Sequence, residues 1–144
     1  MPPPFTLAAI ALTVYTTAHT FFGTLFPSSF GPEADAVFLA MKTTTFDLMG
    51  SESTYYKQWF GLGIYTSLFL IFSAYIAVAL NAAKTGEQWA VLRPIAVALA
   101  AAHVADAGIA FAYFFISPVI MSSLTVLLVV WGIKQKDDQF KKKA

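Results

Sequence analysis

Three stretches of this chain carry no charged residue at all, at positions 1–32, 58–83 and 116–133, and a fourth, 94–115, holds only Asp106. A bilayer core about 30 Å thick takes roughly 20 apolar residues per helical crossing. Four such crossings fit into 144 residues. Composition agrees, with 58% hydrophobic and 12% charged residues, against about 45–50% and about 25% in an ordinary soluble domain. The chain is therefore predicted to be all-α: an integral membrane four-helix bundle, a single transmembrane domain over 1–144. Its spans are expected at about 5–26, 59–82, 94–115 and 118–133, with a charged, water-exposed tail at 134–144.

The first apolar run reads as a retained helix. No Lys or Arg precedes it, and it is longer than the core of a typical cleaved leader. Pro27 and Gly31-Pro32 act as breakers after it. From Pro32 to Met49 the pattern changes. Pro32 suits a first helical position, Glu33 and Asp35 fall in the first turn, and Val37, Met41, Thr45 and Leu48 recur every three to four residues before Gly50. A short amphipathic helix in the first loop is expected, lying over one end of the bundle as an interfacial element or a lid. Tyr55, Tyr56 and Lys57 then mark the headgroup level, and Gly61-Leu62-Gly63 permits close backbone approach to a neighbouring helix. Lys84 to Arg93 reads as a polar connection, and Ser117-Pro118 as the last turn.

Orientation follows from the basic residues. Lys84, Arg93, Lys134, Lys136, Lys141, Lys142 and Lys143 would share one side, against Lys42 and Lys57 on the other. That bias predicts cytosolic termini and a lumenal first loop. The ending Lys141-Lys142-Lys143-Ala144 resembles a dilysine retrieval signal, which points to the endoplasmic reticulum of a eukaryote; a plain basic stop-transfer flank is the alternative. A net charge of +1 offers no basic face for nucleic acid. With no cysteine, disulfides, thiolate nucleophiles and thiol-ligated metals are excluded.

The chemistry must then rest on polar groups inside the membrane, each costly and in need of an explanation. His103 and Asp106, three residues apart, share a helix face. Counted inward at about 1.5 Å per residue, His19, Tyr65 and Asp106 lie roughly 10, 12 and 13 Å deep in one layer, with His103 and Tyr15 about a turn further in. Asp106 with His19 forms the candidate acid–base pair, His103 the orienting group and Tyr65 a hydrogen-bond donor. Tyr15, Phe22, Phe69, Phe111 and Phe114 are candidates to line a substrate pocket, and Asp47 and Glu52 to cap it. Bonding between helices for stability alone is the plainer reading of the same residues. A metal site is disfavoured, because His19, His103 and Asp106 lack the usual paired helical spacing.

The segments His19-Thr20-Phe21-Phe22-Gly23-Thr24-Leu25, Ala40-Met41-Lys42, Phe46-Asp47-Leu48-Met49-Gly50-Ser51, Tyr55-Tyr56 and Phe60-Gly61-Leu62-Gly63, with Tyr113-Phe114-Phe115 before Pro118, resemble a family of small, mostly uncharacterised four-helix integral membrane proteins of bacteria and filamentous fungi. The resemblance covers most of the chain. It implies the four-helix fold and draws attention to His19, and it implies no reaction.

Two functions from different classes are expected to compete. One is a reticulum membrane enzyme performing cofactor-free acid/base chemistry (isomerisation, cyclisation or epoxide opening) on a lipophilic small molecule of secondary metabolism, such as a terpenoid or polyketide. The other is a non-catalytic lipid- or ligand-binding protein, or an accessory subunit of a membrane enzyme. Membrane lipid, a second copy of the chain or other membrane enzymes are the partners expected in either case. A proton-coupled carrier is disfavoured, since four short helices leave little room for alternating access.

Overall fold

The computed structural model describes residues 2–26 and 29–142. Pro27, read as a breaker, and Lys143 and Ala144 of the basic ending lie outside them. Among the described residues there are five α-helices, one π-helical segment and one two-stranded sheet: α1 (Pro4–Ala18), the π-helical segment (His19–Leu25), α2 (Pro32–Thr43), β1 (Thr45–Leu48), β2 (Ser51–Thr54), α3 (Tyr55–Asn81), α4 (Gly86–Tyr113) and α5 (Ile116–Lys141). Four helical stretches, Pro4–Leu25 and α3 to α5, are long and apolar enough to cross a membrane. Only 22–28% of each apolar window is buried inside the protein. The remaining surface is matched by lipid rather than water, and the protein is a multi-pass, all-α membrane protein.

The helices overrun the apolar spans at both polar ends. Thr85 caps α4 by accepting from the Gln88 N–H at 3.2 Å, so residues 86–93, expected as a connection, are helical. Pro94 consequently sits inside α4 rather than at its start. Ser117 and Pro118 fall in the first turn of α5, where a missing N–H costs no bond. Beyond Ile133 the charged tail continues as helix to Lys141.

The chain divides into two compact units. The helical unit, Met1–Tyr15 with Leu70–Ala144, has a core of Phe5, Ala8, Leu12, Leu70, Ala77, Leu80, Trp89, Ala96, Leu99 and Val129. Alanines in this list let the helices approach closely. Gly132 does the same for α5: a Cβ there would stand 2.8 Å from two carbons of the Phe5 ring. Near the basic end, Asp137 accepts from Trp89 Nε1 at 2.7 Å and pairs with Arg93 Nε at 3.1 Å. Lys136 Nζ donates to the Ala83 carbonyl at 2.6 Å, satisfying backbone just past the end of α3.

The loop-bearing unit, Thr16–Phe69, holds the π segment, α2, the sheet and the start of α3. The periodic reading of Pro32–Met49 needs correction in its second half. The helix stops at Thr43, and Thr45–Leu48 is a strand paired antiparallel with Ser51–Thr54, Leu48 opposite Ser51. Thr45, Phe46, Asp47 and Leu48 alternate polar and apolar, the period of a strand. The two-residue turn Met49-Gly50 takes positive φ at both positions, 55° and 85°, as a type I′ hairpin requires. Asp47 Oδ1 accepts from the Gly50 N–H at 3.0 Å and steadies that turn.

Candidate functional site

In the helical unit three helices bring one polar chain together. Asp106 and His103 stand one turn apart on α4. His103 is fully buried at 0% exposure and lies within the field of the Asp106 carboxylate. From α5, Ser122 is also fully buried and donates its hydroxyl proton to Asp106 Oδ2 at 2.5 Å. From α1, the half-buried Tyr15 hydrogen-bonds to Ser122 and feels the same carboxylate. Ser122 has one proton, and that proton is committed to Asp106. Its oxygen is therefore the acceptor for the Tyr15 hydroxyl. The order is Tyr15 O–H to Ser122, then Ser122 O–H to Asp106.

Such a chain can pass a proton without moving a helix. A concerted shift of two protons leaves a phenolate at Tyr15 and a carboxylic acid at Asp106, and the reverse shift restores both. Asp106 Oδ1 is the second acceptor on the same carboxylate. The low dielectric of the surroundings strengthens each bond in the chain.

No family model, curated protein or solved structure matches this chain. The site therefore has to be read from its own geometry.

The loop-bearing unit holds a second polar cluster. His19 opens the π segment, and its Nδ1 lies 3.1 Å from Ser67 Oγ on α3. Thr20 donates to the same oxygen at 2.8 Å, while Ser67 donates to the Gly63 carbonyl at 3.1 Å. With its own proton so used, Ser67 accepts from His19 Nδ1–H. Close packing supports the cluster, since a Cβ on Gly63 would meet Thr24 Oγ1 at 2.7 Å. The expected approach of a glycine is thus found at Gly63, and Gly61 faces open space.

The other candidates are placed as follows. Tyr65 on α3 is 74% exposed and Phe22 in the π segment 73%. Phe69 is exposed on the α3 surface. Phe111 and Phe114, at and just past the end of α4, turn outward. On spanning helices such exposure means contact with lipid. Asp47 and Glu52 face one another across the hairpin, both exposed, and Asp47 serves the turn described above. No group of three or more His, Asp or Glu residues among the described residues is arranged to hold a metal ion.

The sequence reading missed Ser122 and Ser67, the two hydroxyls on which both clusters turn. The pair Ser122-Ser123 interrupts the apolar run of the last helix, and Thr66-Ser67 and Ser73 that of α3. Hydroxyls at such depth are common because they can bond back to their own helix, and so neither signal stands out.

Proposed function

We propose that this protein is a membrane enzyme that performs cofactor-free acid/base chemistry on a lipophilic small molecule drawn from the bilayer. The reaction class is isomerisation, cyclisation or epoxide opening, and a terpenoid or polyketide skeleton is the kind of substrate that suits it. The observation carrying this reading is the hydrogen-bonded order Tyr15–Ser122–Asp106 beside the buried His103. In the proposed mechanism Asp106 takes the substrate proton, Tyr15 gives its own proton back to the substrate, Ser122 then relays the proton from Asp106 to the phenolate, and His103 orients the carboxylate. Residence in the endoplasmic reticulum with cytosolic termini belongs to the same proposal, supported by the lysine bias and by Lys141-Lys142 in the tail.

A different feature favours the second reading, a lipid- or ligand-binding protein. An open groove of about 430 Å³ runs along the helical unit, lined by Thr6, Ala9, Ile10, Thr13, Val14, Val78 and Asn81. Asn81 Nδ2 donates to Thr6 Oγ1 within that lining at 2.8 Å.

Incubation of membranes carrying the full chain with unlabelled terpenoid and polyketide extracts in deuterated water separates the two. The enzyme yields a lipophilic product that carries one solvent deuteron, detected by mass spectrometry. Asp106→Asn abolishes that product in a chain that still folds. A wild-type sample without labelled product refutes the enzyme.

A further inference from the structure

We infer that the loop-bearing unit carries a binding site for the headgroup of a choline phospholipid, with the trimethylammonium group seated between Phe38 and Tyr56 and Lys42 meeting the phosphate. The site is independent of the proton chemistry proposed above.

The geometry is that of a corner already holding a cation. The Phe38 and Tyr56 rings stand 5.7 Å apart at 77°, and Trp59 backs them, 5.0 Å from Phe38 at 81°. Lys42 Nζ occupies the corner, 5.6 Å from the Phe38 centroid and 4.9 Å from that of Tyr56. An ammonium on an exposed side chain is strongly hydrated and gives up water to sit there. A trimethylammonium group is weakly hydrated, fills more of the corner, and is the cation that aromatic walls recognise best. Displaced from the rings, Lys42 stays within one side-chain length of them, where the phosphate of the same headgroup lies.

Two observations place a lipid here rather than a soluble choline ester. Tyr56 belongs to the first turn of α3, and the apolar span follows directly. The hairpin of the same unit ends in Met49, 99% exposed and in a left-handed conformation that Asn or Gly would hold more easily. An apolar side chain kept at such a tip, with Leu48 beside it and Val37 and Leu39 exposed on α2, fits an element resting in the interfacial layer. Charge selects the lipid class. Glu33, Asp35, Asp47 and Glu52 outnumber Lys42 and Lys57 across the unit, which disfavours anionic lipids and admits a zwitterion.

Native mass spectrometry of the full chain from maltoside micelles, titrated with phosphatidylcholine, phosphatidylethanolamine and phosphatidylglycerol of equal chain length, tests the site. Phosphatidylcholine should bind about tenfold tighter than either competitor, and Tyr56→Leu should abolish that preference while Tyr56→Phe keeps it. Equal binding of the three lipids, or a preference untouched by Tyr56→Leu, overturns the proposal. If Tyr56→Leu fails to fold, Lys42→Ala decides with tetramethylammonium as the probe. Emptying the corner should raise affinity severalfold, and an unchanged or lower affinity overturns it.

Discussion

Ser122 and Thr125 are equally buried hydroxyls on one helix, at 0% and 1% exposure, and the structure predicts that removing them costs very different amounts. Ser122 bonds across helices, to Asp106 on α4 and to Tyr15 on α1. Thr125 donates to the Met121 carbonyl of its own helix at 2.9 Å. Interhelical hydrogen bonds in membrane proteins average about 0.6 kcal/mol and reach about 1.7 kcal/mol. Ser122→Ala removes two and strands a carboxylate oxygen, a group expensive to leave unsatisfied, so the loss should be about 2–3 kcal/mol. Thr125→Val deletes a bond whose acceptor already belongs to the helical ladder, and should cost about 0.5 kcal/mol or less. Reversible unfolding of the full chain in mixed micelles, followed by circular dichroism, measures both. Asp106→Asn in the Ser122→Ala background completes a double-mutant cycle, in which the coupling should be about 1–2 kcal/mol. Equal losses for Ser122→Ala and Thr125→Val, or additive behaviour in the cycle, would refute the polar chain as a physical unit.

Further outcomes follow from local geometry. Met49→Asn relieves a left-handed methionine in a type I′ turn and should stabilise the hairpin by about 0.5–1 kcal/mol, seen as slower amide exchange over Thr45–Thr54. Gly132→Ala drives a methyl into the buried Phe5 ring and should cost about 1–3 kcal/mol in thermal unfolding, with Phe5→Leu restoring part of it. On the proposed residence in the reticulum, serine at Lys141 and Lys142 should release an N-terminally tagged chain from it; retention there despite the change would remove the tail as the address.

Much of the fold was legible because the strongest signal, absence of charge over about 20 residues, is also the one the bilayer enforces most strictly. Helix ends were less legible for a related reason. Pro94 and Ser117-Pro118 carry breaker signals, yet the caps at Thr85 and the open first turn of α5 let helix begin before or at them. The hairpin was hidden by a coincidence of periods. Val37 and Met41 set a helical repeat that Thr45 and Leu48 continue, although Phe46 and the Thr-rich flanks already fit a strand. The π segment has no counterpart in composition or spacing, and its i to i−5 bond from the Phe26 N–H to the Phe21 carbonyl is visible only in coordinates. For the site, His103 and Asp106 were predictable from spacing on one helix. Their hydroxyl partner was not, since Ser122 resembles any other small polar residue until its neighbour across the interface is known.

In the proposed mechanism the Ser122 hydroxyl also determines which way the chemistry runs. It donates to Asp106, so the carboxylate is held as an acceptor, and Tyr15 stands at the head of that chain. A catalyst built on this order begins by removing a proton from carbon or oxygen and ends by returning one from the phenol. Tyr15→Phe should then separate the half-reactions in the deuterated-water assay. Abstraction persists, the label exchanges into recovered substrate, and product fails to form. If product still forms at the wild-type level in Tyr15→Phe, the return step does not pass through Tyr15 and the assigned direction is wrong.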